Sequence, residues 1–131
     1  MMAGIRAKNT KPEMIIRSAL HKRGFRYRLH YKGIPGTPDL FFPAKKAAIF
    51  VNGCFWHAHG CHLFKMPKTR TDFWSAKLHG NAERDDRNRK LLEEMGIRHL
   101  TIWECELKSK SPEEIEAVIE KCNLWLGSSA E

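Results

Sequence analysis

The run Ala47-Ala-Ile-Phe-Val51 contains no polar residue. A strand with one wet face alternates apolar and polar side chains, whereas an unbroken apolar run of this length fits a central strand buried on both faces. Such a strand has to be covered from above and below, and that requirement points to helices packed on the two faces of a sheet.

The flanking segments supply the other layers. Thr10-Lys-Pro-Glu13 reads as a capping box with Pro12 in the first turn. The helix it opens should reach about Arg23, with Ile16, Ala19 and Leu20 on one face and Gly24 as its stop. Phe25, Tyr27 and Leu29 alternate with Arg26, Arg28 and His30, which predicts a half-buried strand with a basic outer face. After the turn-rich Lys32 to Pro38, Asp39-Leu-Phe-Phe42 reads as a short strand ended by Pro43. Downstream, Thr71 to Leu78 has short helical character. Asn81 to Met95 reads as a charged helix whose inner face includes Leu91, Leu92 and Met95, and Ile97 to Glu104 as a strand. Ser111-Pro-Glu-Glu114 is a second capping box, opening an amphipathic helix over about 112–126. The order is helix, three strands, helix, strand, helix. It predicts a single-domain α/β sandwich over residues 1–131, with a mixed central β-sheet flanked by helices.

Charge narrows the partners. Twenty-three Lys and Arg stand against fifteen Asp and Glu, a net charge of +8, which favours a polyanion such as nucleic acid. No apolar run approaches the roughly 18 residues of a spanning helix, and the N-terminal stretch has no apolar secretion core. Membrane association is therefore not expected and the cytoplasm is. In that compartment Cys54, Cys61, Cys105 and Cys122 read as metal ligands or thiols and not as disulfides.

The segment Val51-Asn-Gly-Cys-Phe-Trp-His-Ala-His-Gly-Cys-His62 follows the central strand directly. Cys54, Cys61 and Cys105 with one histidine would make a tetrahedral Zn2+ site, filled and therefore structural. Spacing leaves open which of His57, His59 and His62 completes it. Cys105 can join only if the strands at 47–51 and 97–104 end side by side. Cys122 falls on the apolar face of the last helix and reads as core.

Asp39 opens a strand beside the central one, the placement many nucleases use to hold Mg2+ on a scissile phosphate. The usual acidic residue, spacer and lysine on the neighbouring strand are missing here, where Val-Asn-Gly stands, and a turn-capping role for Asp39 is the plain alternative. Glu13 is explained by its capping box, and only a tertiary contact with Asp39 would make it catalytic. A histidine left over from the zinc set could serve as general base. Phe55, Trp56 and Trp74, near Lys65, Lys68 and Arg70, combine rings for unstacked bases with cations for phosphates, while Phe50, Phe64 and Phe73 read as core.

PGTPDLFF, AIFVNGCFWHAHGCHLFK, TRTDFW, NAERDDRNRKLLEEMG and WEC occur in that order. Over about residues 4 to 107 the chain resembles the very-short-patch repair (Vsr) endonucleases, bacterial enzymes that nick DNA beside T:G mismatches left by deamination of 5-methylcytosine. The resemblance implies a restriction-endonuclease-like fold and a Mg2+-dependent nick. It implies Mg2+ at Asp39 and at Val51 through its backbone, and His57 as general base. It implies Zn2+ at Cys54, His59, Cys61 and Cys105, with Phe55, Trp56 and Trp74 wedged into the DNA. It also implies Glu13 and Asp85 beside the active site, together with position 52. There the chain departs, carrying Asn52 where relatives often have Asp or His, and an amide cannot take up a proton near neutral pH. The arm before the first helix is short compared with longer relatives, which predicts weaker or less selective DNA contact. Mismatched duplex DNA is the expected substrate, a monomer the expected form, and mismatch-repair proteins the expected partners. A mismatch-binding module without cleavage, or a restriction-type nuclease acting on matched DNA, are the rival readings.

Overall fold

The apolar run does become an interior strand. The computed structural model describes residues 10–53, 68–108 and 110–127. In chain order these form α1 (Lys11–Lys22), β1 (Arg28–Leu29), β2 (Leu40–Phe42), β3 (Ala47–Asn52), α2 (Thr71–Glu94), β4 (Arg98–Trp103) and α3 (Pro112–Gly127). The sheet order is β1-β2-β3-β4. The first three strands pair antiparallel and β3 pairs parallel with β4. Parallel neighbours need a long crossover, and α2 lies within it.

Side chains of β3 alternate between two cores. Ala47 and Ile49 are fully buried with Ile16 and Leu20 of α1 and Ile119, Cys122 and Leu126 of α3. Ala48 points to the opposite face, where it meets Leu92 of α2 and Ile97, with Phe50 packed alongside. Helices therefore cover both faces, as the unbroken apolar run requires. Each fully buried Leu, Ile or Phe contributes about 1.5–3 kcal/mol.

Local chemistry sets the helix ends. The Thr10 hydroxyl accepts from the Glu13 amide at 3.4 Å to start α1. At α3 the capping box closes in both directions: Ser111 N–H donates to Glu114 Oε1 at 3.1 Å and Glu114 N–H donates to Ser111 Oγ at 3.2 Å. Arg23 ties α1 to α3 through Glu116 and Glu120. Cys122 is core as expected, fully buried, with its thiol pushed up to about 11 chiefly by burial.

Four sequence expectations change. The two helices expected on either side of Gly80 are one, Thr71–Glu94. A lone glycine costs a helix only about 1 kcal/mol, too little to break one that docks on the sheet. Its buried residues are Leu78 and Leu92, while Leu91 and Met95 are 43% and 51% exposed. At about 100° per residue Leu91 lies well off the inward line through Leu92. Phe73, expected in the core, is 46% exposed, and Arg70 stacks over its ring at 4.4 Å. The first strand is also shorter than expected. Phe25 and Tyr27 precede it and pack edge-on against Phe42 at 6.1 and 5.6 Å, while Leu29 on the edge is exposed.

Candidate active site

Asp39 is delivered to the sheet by a constrained turn. Gly36 has φ +87°, and a Cβ there would lie 3.0 Å from the Phe50 ring, so the position needs glycine for both conformation and space. Thr37 is left-handed at φ +46°, a costly state for a β-branched residue that persists only where its surroundings enforce it. Buried Pro38 follows, and its carbonyl accepts from the Tyr31 amide at 3.3 Å. Asp39 then meets β3, where its Oδ2 accepts from the Val51 amide at 2.7 Å.

Glu13 comes from the first turn of α1 and is 1% exposed. Its Oε2 accepts from Arg17 at 2.9 Å and lies 2.8 Å from His30 Nε2. The Tyr27 hydroxyl donates to the Arg17 carbonyl at 2.7 Å and so braces that turn of α1. Ligand-capable atoms of Glu13, His30 and Asp39 all fall within 4.8 Å of one another. The tertiary contact that would lift Glu13 out of a pure capping role is therefore present.

Burial is the main cause that raises the Asp39 carboxyl from 3.8 to about 7, and Glu13 raises it further. The Val51 amide and His30 oppose the rise. Two carboxylates drawn together out of water favour a proton, or a cation in its place. The donor set fits a divalent metal.

Beside this cluster, Asn52 ends β3 with 9% exposure. It lines a shallow cleft with Gly36 and Phe50 on one side and Asp85, Asn88 and Arg89 of α2 on the other. The structure thus brings Glu13, Asp39 and Val51 together, and sets Asn52 across from Asp85 next door. Cys105 is half-buried in the short 3-10 turn after β4. Because Asn52 pairs with Trp103, the chain leaves β3 towards Cys54 at the same end of the sheet where β4 leads to Cys105. Trp74 is half-buried, and Lys68 and Arg70 are exposed. Cys54, Phe55, Trp56, His57, His59, Cys61, His62, Phe64 and Lys65 lie outside the described residues. His30 and Arg17 were not singled out from the sequence, where alternation sends His30 to an outer basic face. The signal that could have found His30 is its approach to the turn leading back to Asp39.

Comparison with known proteins bears on this arrangement. The family model for the DNA mismatch endonuclease Vsr matches residues 1–63. The type II nicking enzyme V.XorIIP of Xanthomonas oryzae pv. oryzae is 49% identical over 107 residues, 82% of this chain and 79% of the relative. This chain belongs to the Vsr endonuclease family. The DNA mismatch endonuclease Vsr of Escherichia coli K12 is 39% identical over 99% of this chain and 85% of its own length. The type II nicking enzyme V.NmeAIP of Neisseria meningitidis is 43% identical over 85% of this chain and 79% of its own. Both the Glu13–His30–Asp39 cluster and the β3 end of this Vsr-family chain lie in the matched segment. Among the described residues no helix is long and apolar enough to cross a membrane.

Proposed function

We propose that this Vsr-family DNA endonuclease nicks one strand of duplex DNA beside a T:G mismatch, in a divalent-metal-dependent reaction at Asp39. The observation that carries the reading is the convergence of Asp39 and buried Glu13, with Asp39 anchored on the Val51 amide at 2.7 Å. Mg2+ held by Asp39 and the Val51 backbone would polarise the scissile phosphate and favour ionisation of a bound water.

The protein's own groups supply the rest. His57 would take the proton of the attacking water, leaving a 5′-phosphate and a 3′-hydroxyl. Glu13, fixed by Arg17, would complete the surroundings of the metal beside Asp39. Asn52 can give or accept a hydrogen bond but cannot take a proton, so with Asp85 it would position the phosphate side of the cleft. Phe55, Trp56 and Trp74 would unstack the mismatched step, which costs least where pairing is already weak. Lys65, Lys68 and Arg70 would hold the flanking phosphates, and exposure of Lys68 and Arg70 supports that. Cys54, His59, Cys61 and Cys105 would bind a structural Zn2+ that clips the segment after β3 to the end of β4. The parallel pairing of those strands supports this set. We read the sandwich as restriction-endonuclease-like, and the enzyme as a cytoplasmic monomer that passes its nick to mismatch-repair proteins.

The test is Asp39→Ala on an end-labelled T:G duplex with Mg2+. Nicking should fall by at least about 100-fold while binding in a gel shift stays close to wild type. Unchanged nicking would remove the metal reading. Binding by the wild type without any strand break would favour a recognition module, and equal cutting of matched DNA a restriction-type nuclease.

A further inference from the structure

His30 is the member of the cluster to which the proposed reaction gives no role. The register of β1 and β2 pairs Arg28 with Phe41 and Leu29 with Leu40. Continued by one pair it sets His30 opposite Asp39, and the His30 amide donates to the Asp39 carbonyl at 3.0 Å. Residues opposite each other in an antiparallel pair have neighbouring side chains. His30 is left-handed at φ +48°, so it turns off the strand path where the imidazole meets α1. Its Nε2 ends 2.8 Å from Glu13 Oε2, with the side chain 19% exposed and that of Glu13 1%.

A counter-ion for Glu13 does not by itself account for this placement. Arg17 already donates to the same Glu13 oxygen at 2.9 Å, and the Asp39 carboxyl completes the cluster. The spacing suits coordination. Neighbouring ligands around an ion with bonds of about 2.1 Å sit roughly 3 Å apart, and opposite ones about 4.2 Å. Here His30 Nε2 and Glu13 Oε2 are 2.8 Å apart and the whole set spans no more than 4.8 Å, so a contraction of about half an ångström would close it on an ion. The three donors come from α1, the residue after β1 and the residue before β2.

The geometry points to His30 as a direct metal ligand, making Glu13, His30 and Asp39 a mixed nitrogen–oxygen site that takes Mn2+ in preference to Mg2+. This rests on the metal-dependent reading of the same site and adds to it a nitrogen donor and a metal preference. Mg2+ is bound mainly through oxygen and keeps most of its water, whereas imidazole with carboxylates suits the first-row transition ions.

The experiment is electron spin-echo spectroscopy of the full chain with less than one equivalent of Mn2+, alongside Mn2+ and Mg2+ titrations. A histidine nitrogen modulation is expected in the wild type. It should vanish in His30→Asn, whose side chain tolerates the left-handed backbone. Mn2+ affinity should fall at least about tenfold, with Mg2+ affinity changed much less. His30→Gln serves as a second variant if the first does not fold. No nitrogen modulation in the wild type, or modulation that survives both substitutions, overturns the proposal. Nicking of a T:G duplex, measured in parallel, separates the two readings. Nicking without nitrogen coupling rejects the ligand and keeps the nuclease, whereas coupling without nicking does the reverse.

Discussion

Asp39→Asn should make the metal-free protein more stable while destroying its proposed chemistry. The amide has the shape of the carboxylate: its oxygen can still accept from the Val51 amide, and its NH2 can donate to Glu13. What it removes is a buried charge. The Asp39 carboxyl is raised from 3.8 to about 7, first by burial and then by Glu13. At 1.36 kcal/mol per unit, ionising it in the folded state costs at most about 4 kcal/mol above pH 7. The sign follows from the raised value. Below pH 3.8 folded and unfolded forms are both protonated and the group is neutral to stability. Between 3.8 and 7 the unfolded chain has lost the proton that the folded one keeps, so stability falls as pH rises, and it levels off above about 7. For 131 residues, 1 kcal/mol corresponds to about 3.6 °C in Tm, from roughly 2.1 cal/mol/K per residue. Asp39→Asn should therefore melt about 7–14 °C above wild type at pH 8 without divalent metal, and close to it at pH 4. Differential scanning calorimetry of both proteins across this range is the assay, and the difference between them cancels the titrating groups remote from Asp39, leaving Asp39 with its neighbours Glu13 and His30. Saturating Mg2+ at pH 8 should raise the wild type by about 10 °C, as for a ligand at a hundred times its Kd, and leave Asp39→Asn unmoved. A variant that melts at or below the wild type at pH 8 would refute the claim that Asp39 is a strained, metal-seeking carboxylate.

Gly36→Ala forces a side chain into a left-handed backbone and 3.0 Å from Phe50. A loss of about 2 kcal/mol is expected, with nicking reduced further than melting because Asp39 hangs from the same turn. Arg70→Ala should leave Tm within about 2 °C, since the residue is exposed, and should lower the salt slope of duplex binding by about one. Phe73→Ala, which removes the exposed ring under Arg70, should weaken mismatched-duplex binding by about 1–3 kcal/mol if that ring stacks on an unpaired base. An unchanged Kd would assign it to the surface alone.

Periodicity and capping chemistry made the layers legible. The unbroken apolar run 47–51 demanded cover on both faces, and two capping boxes placed the starts of α1 and α3. Gly80 was misleading because a local helix penalty of about 1 kcal/mol is small against docking on a sheet. Asp39 could be picked out as a strand-end carboxylate, and its partner Glu13 only conditionally. A capping motif accounts for Glu13 locally, and its contact with Asp39 exists only once α1 lies across β2. His30 was hidden for the same reason. Strand alternation turns it outward, and only the left-handed backbone at φ +48° brings it round to Glu13. The condition set for Cys105, that the strands at 47–51 and 97–104 end side by side, is met because β3 and β4 run parallel.

The proposed chemistry turns on a divalent cation among Glu13, His30 and Asp39. The direct measurement is an anomalous difference map from crystals of the full chain containing Mn2+, collected near the manganese edge. One peak should lie within about 2.5 Å of a carboxylate oxygen of Asp39, with Glu13 and His30 around it, and it should be absent in Asp39→Asn. Manganese bound elsewhere in a protein that nicks DNA, with no peak in this cluster, would contradict the account.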